Sequence, residues 1–286
     1  FQRRYSKMEP WECENMGNYL NTGNAGFTAM RKGTYIDKTG MISFINSTLG
    51  TADKLICVSR PRRFGKSFAA KMLCAYYDKS CDSRELFEGL DISKDPSFER
   101  YLNKYNVIYL DITLFISRAS DIKGVVQSMK ETVMKEVTDA FPDAPKGTDL
   151  VETMANIAKT TGKKFIMIID EWDAPIREAY GRPSLQRKYL EFLRSLFKNS
   201  GMTDKIFAAV YMTGILPIKK DGSQSAISDF LEYTMVKPRQ FEPYVGFTEE
   251  EVRGLCEAHG SDFEMMKKWY DGFTFGAYAD IYNPWS

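Results

Sequence analysis

Apolar residues along this chain fall into two kinds of run. The first kind is short and all but unbroken, with Asp111 the one polar residue in it: Leu55–Val58, Val107–Ile112, Phe165–Ile169 and Ile206–Met212. A strand wetted on one face alternates apolar with polar residues, whereas a strand covered on both faces does not. These runs therefore predict buried strands, with Tyr233–Val236 as a fifth. The second kind recurs every three or four residues, as in Met41, Ile42, Phe44 and Ile45, or Ile122, Val125, Val126, Met129, Val133 and Val137. Leu150, Met154 and Ile157 repeat it, as do Leu185, Tyr189, Leu193, Leu196 and Phe197. That spacing predicts helices with one buried face. Residues 67–77 predict another, directly after the first strand.

End signals bound these helices. Gly162 reads as a stop, Ser184 as a cap and Gly201 as a second stop. Thr248 with Glu251, and Ser261 with Glu264, read as capping boxes. His259, beside Gly260, reads as a last-turn histidine facing the helix dipole. Strands that alternate with helices predict an α/β fold with a mostly parallel sheet covered on both sides. The expected organisation is a lead-in arm over residues 1–32, a core over 33–240 and a small helical subdomain over 241–286.

Composition changes this picture little, but it excludes much. The 286 residues carry a net charge of +1, so no global field draws the chain to nucleic acid or anionic lipid. A single histidine argues against multi-histidine metal centres, and its place at a helix end argues against a His-dependent triad. Cys13, Cys57, Cys74, Cys81 and Cys256 are odd in number and form no Cys-x-x-Cys pair, so they read as reduced thiols. No apolar run is long enough to cross a membrane and no signal-peptide core is present, which together place the protein in the cytoplasm as an expectation. The chain opens on Phe1, not on an initiator methionine, and the expectation is a piece of a longer protein.

The chemistry concentrates at two strand ends. Arg60-Pro61-Arg62-Arg63-Phe64-Gly65-Lys66-Ser67 follows the first strand and, with Phe68, opens the next helix. In the P-loop pattern G-x-x-x-x-G-K-[ST], backbone amides wrap phosphates, the lysine meets the outer phosphates and the hydroxyl ligates Mg²⁺. The helix points its positive end at the same charge. Arg60 replaces the first glycine, so the string alone is an imperfect match. Asp170-Glu171 closes the clearest strand. An acidic residue there holds Mg²⁺, and a following glutamate polarises the attacking water. The two motifs need each other for metal-assisted phosphoryl transfer, and their joint presence points to ATP and Mg²⁺ as cofactors. No guanine-selecting Asn-Lys-x-Asp string occurs, which favours ATP over GTP.

Other candidates have competing readings. Thr213, at the end of the fourth run, either contacts the γ-phosphate or fills a turn. Arg60, Arg62 and Arg63 either neutralise a transferring phosphoryl group, grip a nucleic-acid backbone or pair with local carboxylates. Arg63 is taken as the catalytic candidate among them, while Arg239 reads as a surface side chain. Asp111 with Asp121 and Lys123 superficially resembles a nuclease layout, but Asp121 reads as a helix cap and no Glu-x-Lys occurs. The late aromatics Trp269, Tyr270, Phe273, Phe275, Tyr278, Tyr282 and Trp285 either stack bases or, as their mixed spacing favours, form a subdomain core or a docking face.

Taken together, several blocks resemble the bacterial AAA-ATPase-like family. They are Tyr35–Thr39, Ser59–Ser67, Ile169–Ile176, Thr213–Ile215, Gly246–Val252, Trp269–Phe273 and Tyr282–Ser286. The resemblance spans about residues 17–286, and within it Arg60 is normal rather than a defect. It implies a P-loop NTPase core of the ASCE type, the division with a catalytic glutamate, with sheet order 5-1-4-3-2. It also implies that many members carry a C-terminal PD-(D/E)XK nuclease-like domain, and this chain stops about where that domain would begin. The leading expectation is an ATP-hydrolysing motor or switch, with a homo-oligomer as a further possibility. A nucleotide-binding regulatory module with little hydrolysis and a nucleic-acid-binding protein are the alternatives.

Overall fold

The computed structural model describes residues 13, 16–118, 122–198, 200–218, 227, 229–244, 246–269, 272–275 and 278–283. Strands β1 (Leu55–Ser59), β2 (Asn106–Asp111), β3 (Phe165–Asp170), β4 (Phe207–Gly214) and β5 (Leu231–Tyr233) form one parallel sheet in the order β2-β3-β4-β1-β5. This is the implied order, read from the opposite edge. Every residue of β1, β3 and β4 is buried, which is why their sequences run without polar interruption.

Alternate residues of each strand feed two cores. Cys57, Met167, Ile169 and Met212 face one, and Ile56, Val58, Ile166, Ile168 and Tyr211 face the other. The second core is closed by α1 (Ala25–Arg31), α2 (Gly40–Thr48), α3 (Lys66–Tyr77) and the single turns α4 (Arg84–Phe87) and α5 (Phe98–Tyr101). The first core is closed by α6 (Ile112–Arg118), α7 (Ile122–Ala140), α8 (Leu150–Thr161), α9 (Ala174–Glu178), α10 (Pro183–Phe197) and α11 (Ser200–Ile206). Beyond residue 240, α12 (Glu249–His259) and α13 (Phe263–Trp269) precede an antiparallel ribbon of β6 (Phe273–Phe275) and β7 (Tyr278–Ile281). The late region is thus not purely helical.

Several end signals act as read. Gly162 and Gly260 adopt left-handed backbone as C-caps, His259 lies in the last turn of α12, and Thr248 and Glu251 form a reciprocal capping box. Others shift. Pro183, not Ser184, opens α10, because proline presets the first-turn φ and needs no N–H partner there. Asp262, not Ser261, caps α13: its carboxylate accepts from the amides of Glu264 and Met265 at 2.8 and 3.1 Å. Gly201 lies inside α11, which ends at Ile206, so β4 starts one residue later than its apolar run suggests. β5 ends at Tyr233 because Thr234 turns back to Lys237, leaving Val236 exposed. Asp121, Tyr270 and Trp285 lie outside the described residues.

The lead-in arm is partly built into the sheet. Asn21 donates to the Val107 carbonyl at 2.7 Å, and Tyr109 donates to the Tyr19 carbonyl at 2.8 Å. Leu20 bridges Ile108 antiparallel, so this short segment covers the free edge of β2. The cysteine reading needs one correction. Cys13 and Cys81 are joined in a disulfide, with Cα atoms 4.4 Å apart, because the fold of the arm brings together two thiols 68 residues apart in sequence. Cys57, Cys74 and Cys256 are free and buried.

Candidate functional site

The loop from β1 to α3 starts on Arg60, whose amide donates to the Gly214 carbonyl at 3.0 Å and so continues the β1–β4 pairing. A residue before proline is biased to extended backbone. Its side chain does not enter the cleft. The guanidinium is 1% exposed, donates to the Tyr233 carbonyl at 2.9 Å and to the Ser59 carbonyl at 3.0 Å, and is pushed down to about 10 by burial. Arg60 therefore ties β1 to β5 from beneath, which corrects its assignment as a nucleotide contact. Arg62 and Arg63 are exposed and do line the cleft. Arg63 and Gly65 have φ of 70° and 75°, left-handed turns that give the loop a concave shape suited to an anion.

Lys66 and Ser67 open α3. The Lys66 ammonium is buried, donates to the Pro61 carbonyl at 3.0 Å and lies 3.5 Å from Glu171 Oε1. Burial lowers its pKa, opposed by the nearby Glu171 and Asp170 carboxylates. Asp170 ends β3, in register with Asp111 on one side and Thr213 on the other. Burial pushes its carboxyl up to about 6, the nearby Ser67 side chain opposes the rise, and Asp111 adds repulsion. Thr213 is fully buried, does not line the cleft, and its hydroxyl has no hydrogen-bond partner. Asp111 is occupied as a cap, accepting from the Thr113 amide and hydroxyl at 3.0 and 2.6 Å.

Glu171 has a φ of 53°, a left-handed conformation that costs a non-glycine residue free energy and tends to persist at functional sites. Its other oxygen accepts from Arg177 Nη2 at 2.6 Å. Arg177 Nε donates to Asp173 Oδ2 at 2.9 Å, and Asp173 also accepts from the amides of Ile215 and Leu216 at 3.1 and 2.9 Å. Trp172 donates its amide to the Thr213 carbonyl, and its own carbonyl accepts from the Tyr189 hydroxyl. The Glu-Trp-Asp-Ala-Pro block and the Thr-Gly-Ile block are thus two halves of one bracket. Gly214 is the hinge of that bracket: a Cβ there would lie 2.5 Å from Asp173 Oδ1. Arg177 was not singled out by motif, although its four-residue spacing from Asp173 on a helix was a usable signal.

These groups surround a cleft of about 640 Å³, walled by Arg62, Arg63, Lys66, Ser67, Glu171 and Arg177 among others. A second, more apolar pocket of about 300 Å³ lies against the same loop, lined by Tyr35, Ile36, Phe64, Met72, Tyr244 and Phe247. The two share Gly65 and Phe68. Phe64 faces this pocket and not the cleft. Lys38 pins the pocket's outer wall, donating to the Pro243 carbonyl at 2.7 Å and to both Glu251 oxygens at 2.5 and 2.6 Å. The segment with Tyr35–Thr39 is thereby locked to the start of α12. Among the late aromatics, Tyr282 is buried and Trp269 is 79% exposed; Arg239 is exposed too.

A parallel sheet of this order, with Gly-Lys-Ser after β1 and Asp-Glu at the end of β3, defines a P-loop ATPase domain. The chain belongs to the AAA-ATPase-like family: residues 22–223, well over half of it, match the family described as "Predicted AAA-ATPase". The match takes in the blocks from Tyr35 to Ile215 and stops before the later ones. An "Uncharacterized protein in vnfD 5'region" of Azotobacter chroococcum mcd 1 is 24% identical over 272 residues. That alignment covers 93% of this chain, which spans about half (50%) of the relative's length. Similar solved structures include a DNA replication initiation factor (9% identity, 82% of this chain and 55% of that one, TM-score 0.36). The Aeropyrum pernix ORC2 protein (ADPNP-ADP complexes) is another, with 10% identity, 87% and 55% coverage and a TM-score of 0.35. Among the described residues, no helix is long and apolar enough to cross a membrane.

Proposed function

We propose that this domain binds ATP with Mg²⁺ and hydrolyses the β–γ phosphoanhydride. One observation carries the reading: Lys66 and Ser67, opening α3 after β1, meet Asp170 and Glu171 at the end of β3, with the Lys66 ammonium 3.5 Å from Glu171. The triphosphate lies along the cleft, with Lys66, the loop amides and Arg62 or Arg63 on its oxygens. The adenine enters the apolar pocket, which meets the cleft at Gly65 and Phe68.

The residues fit a hard cation. Asp170 and Ser67 both offer oxygen donors, and among the described residues no cluster of three His, Cys, Asp or Glu groups offers an all-protein cage. Mg²⁺ favours that arrangement, one or two protein oxygens completed by phosphate and water. When bound it neutralises charge developing on the phosphate oxygens. Glu171 orients a water in line with the γ-phosphorus and takes its proton. The new P–O bond forms to that water as the bond to the β–γ bridging oxygen breaks, and ADP and phosphate leave. Thr213, fully buried in register beside Asp170 and off the cleft wall, senses the γ-phosphate through that carboxylate and not by direct contact.

The test is Mg²⁺-dependent ATP turnover. Lys66→Ala abolishes nucleotide binding, whereas Glu171→Gln keeps binding and lowers kcat on the order of a hundredfold or more. Turnover unchanged in both variants overturns the assignment. A regulatory module with little hydrolysis is the second reading, favoured by the engagement of both Glu171 oxygens, one near Lys66 and one on Arg177. The division into an arm (1–32), a core (33–240) and a late subdomain (241–286) belongs to this proposal. So do a cytoplasmic setting, assembly into a homo-oligomer and service to a nuclease-like module.

A further inference from the structure

Arg177 is held by two carboxylates of unequal firmness. Asp173 is fully buried and fixed by two backbone amides in addition to Arg177, so it is an anchor. Glu171 rests on a left-handed backbone residue, keeps about a fifth of its side chain exposed, and is held by the two cations Arg177 and Lys66. The guanidinium therefore has one fixed contact, through Nε, and one exchangeable contact, through Nη2. It also lines the same cleft as Lys66 and Ser67.

From this geometry we infer that Arg177 is a γ-phosphate-reading positioning residue, which holds Glu171 away from water until a nucleoside triphosphate displaces it. The inference rests on the ATP reading given above. A terminal phosphate is tetrahedral and shares its charge over three oxygens, any two of which a guanidinium fork can bond together, as a lone ammonium cannot. On arrival it competes with Glu171 for both Lys66 and Arg177. Nη2 turns to the γ-phosphate while Nε stays on Asp173, and Glu171 is released to its water. A diphosphate has no group at that position and leaves the Glu171–Arg177 pair intact. Because Asp173 also holds the amides at the end of β4, the exchange is mechanically joined to the strand that carries Thr213.

The experiment is calorimetric binding of Mg²⁺–AMP-PNP and of ADP to the full chain, with Arg177→Gln, Arg177→Lys, Glu171→Gln and the double variant Glu171→Gln/Arg177→Gln. Arg177→Gln weakens AMP-PNP about tenfold and leaves ADP unchanged. Arg177→Lys, which keeps the charge and loses the fork, recovers only part of that loss. Glu171→Gln removes the competitor and tightens AMP-PNP several-fold, and the gain disappears in the double variant. Equal weakening of both nucleotides by Arg177→Gln and Arg177→Lys overturns the inference, as does a Glu171→Gln gain that survives in the double variant. If the wild-type chain binds neither nucleotide, the ATP reading itself has failed; if it binds both and the Arg177 variants do not discriminate, only the inference has.

Discussion

Lys38 and Glu251 are 213 residues apart in the chain and form an ion pair at 2.5 Å, largely shielded from solvent. Glu251 at the same time accepts from the Thr248 amide at 2.8 Å, so one carboxylate closes the capping box of α12 and neutralises the ammonium. Burial lowers the Lys38 pKa, and Glu251 is what offsets it. Removing one partner of a shielded pair leaves the other charge unmatched. Glu251→Ala, losing pair and cap together, costs about 3 kcal/mol of folding stability, and Glu251→Gln, which can keep the cap through its amide oxygen, costs about half as much. Urea denaturation separates the two; a Glu251→Gln midpoint equal to that of the wild type would show that the ion pair contributes nothing, and equal midpoints for the two variants that the cap contributes nothing.

Asp170 gives a pH dependence of definite sign. Its carboxyl is raised from an ordinary 3.8 to about 6 by burial, so the folded state holds the proton more tightly than the unfolded state does. The stability this contributes is complete below about pH 4 and is lost as pH rises through about 6. Asp170→Asn removes that dependence. In the nucleotide-free protein the variant melts several degrees above wild type at pH 8, and the gap narrows toward pH 5. Melting curves across that range check it, and a gap that stays constant or widens on acidification contradicts it. If Asp170 holds Mg²⁺ as proposed, the metal competes with the same proton, and metal-dependent nucleotide affinity falls below about pH 6.

Gly214 leaves no room for a methyl group. An added Cβ meets Asp173 Oδ1 at 2.5 Å and Trp172 Cδ1 at 2.7 Å, both buried and neither able to move without breaking the bracket between β3 and β4. Gly214→Ala lowers stability by about 2–4 kcal/mol, read as a shift in the urea midpoint at constant slope. An unshifted midpoint would mean that the bracket yields freely.

The Cys13–Cys81 bond closes a long loop, and opening such a loop costs roughly 2–4 kcal/mol through the unfolded chain. Non-reducing denaturation exposes three thiols to a chromogenic disulfide reagent, from Cys57, Cys74 and Cys256, and prior reduction exposes five. Dithiothreitol lowers the Tm of the wild type and not that of Cys13→Ser. Five thiols without reduction would refute the bond.

The strands were legible because burial on both faces writes an unbroken apolar run, as in Phe165–Ile169. That Lys66 and Glu171 lie close together was legible because each follows a buried strand of one parallel sheet; the chemistry assigned to them, to Ser67 and to Asp170 is the proposal made above. What stayed hidden depends on partners far away in sequence. Nothing near Arg60 announces that its guanidinium finds the Tyr233 carbonyl, and nothing near Lys38 announces Glu251. The Cys13–Cys81 pair was misread for the same reason: cysteine spacing carries no pairing information until the arm is placed along β2. Arg177 is the intermediate case, adjacent in sequence to its partners but belonging to no motif.

Gly65 and Phe68 belong to both the polar cleft and the apolar pocket, so the site has two rooms and one doorway. Such a layout measures length as well as chemistry. On the proposed reading adenosine alone fills the apolar room and inorganic tripolyphosphate the polar one, but only a molecule that carries both ends and passes the doorway occupies them together. The site then acts as a ruler, in which tethering two weak halves yields an affinity that neither half approaches by itself.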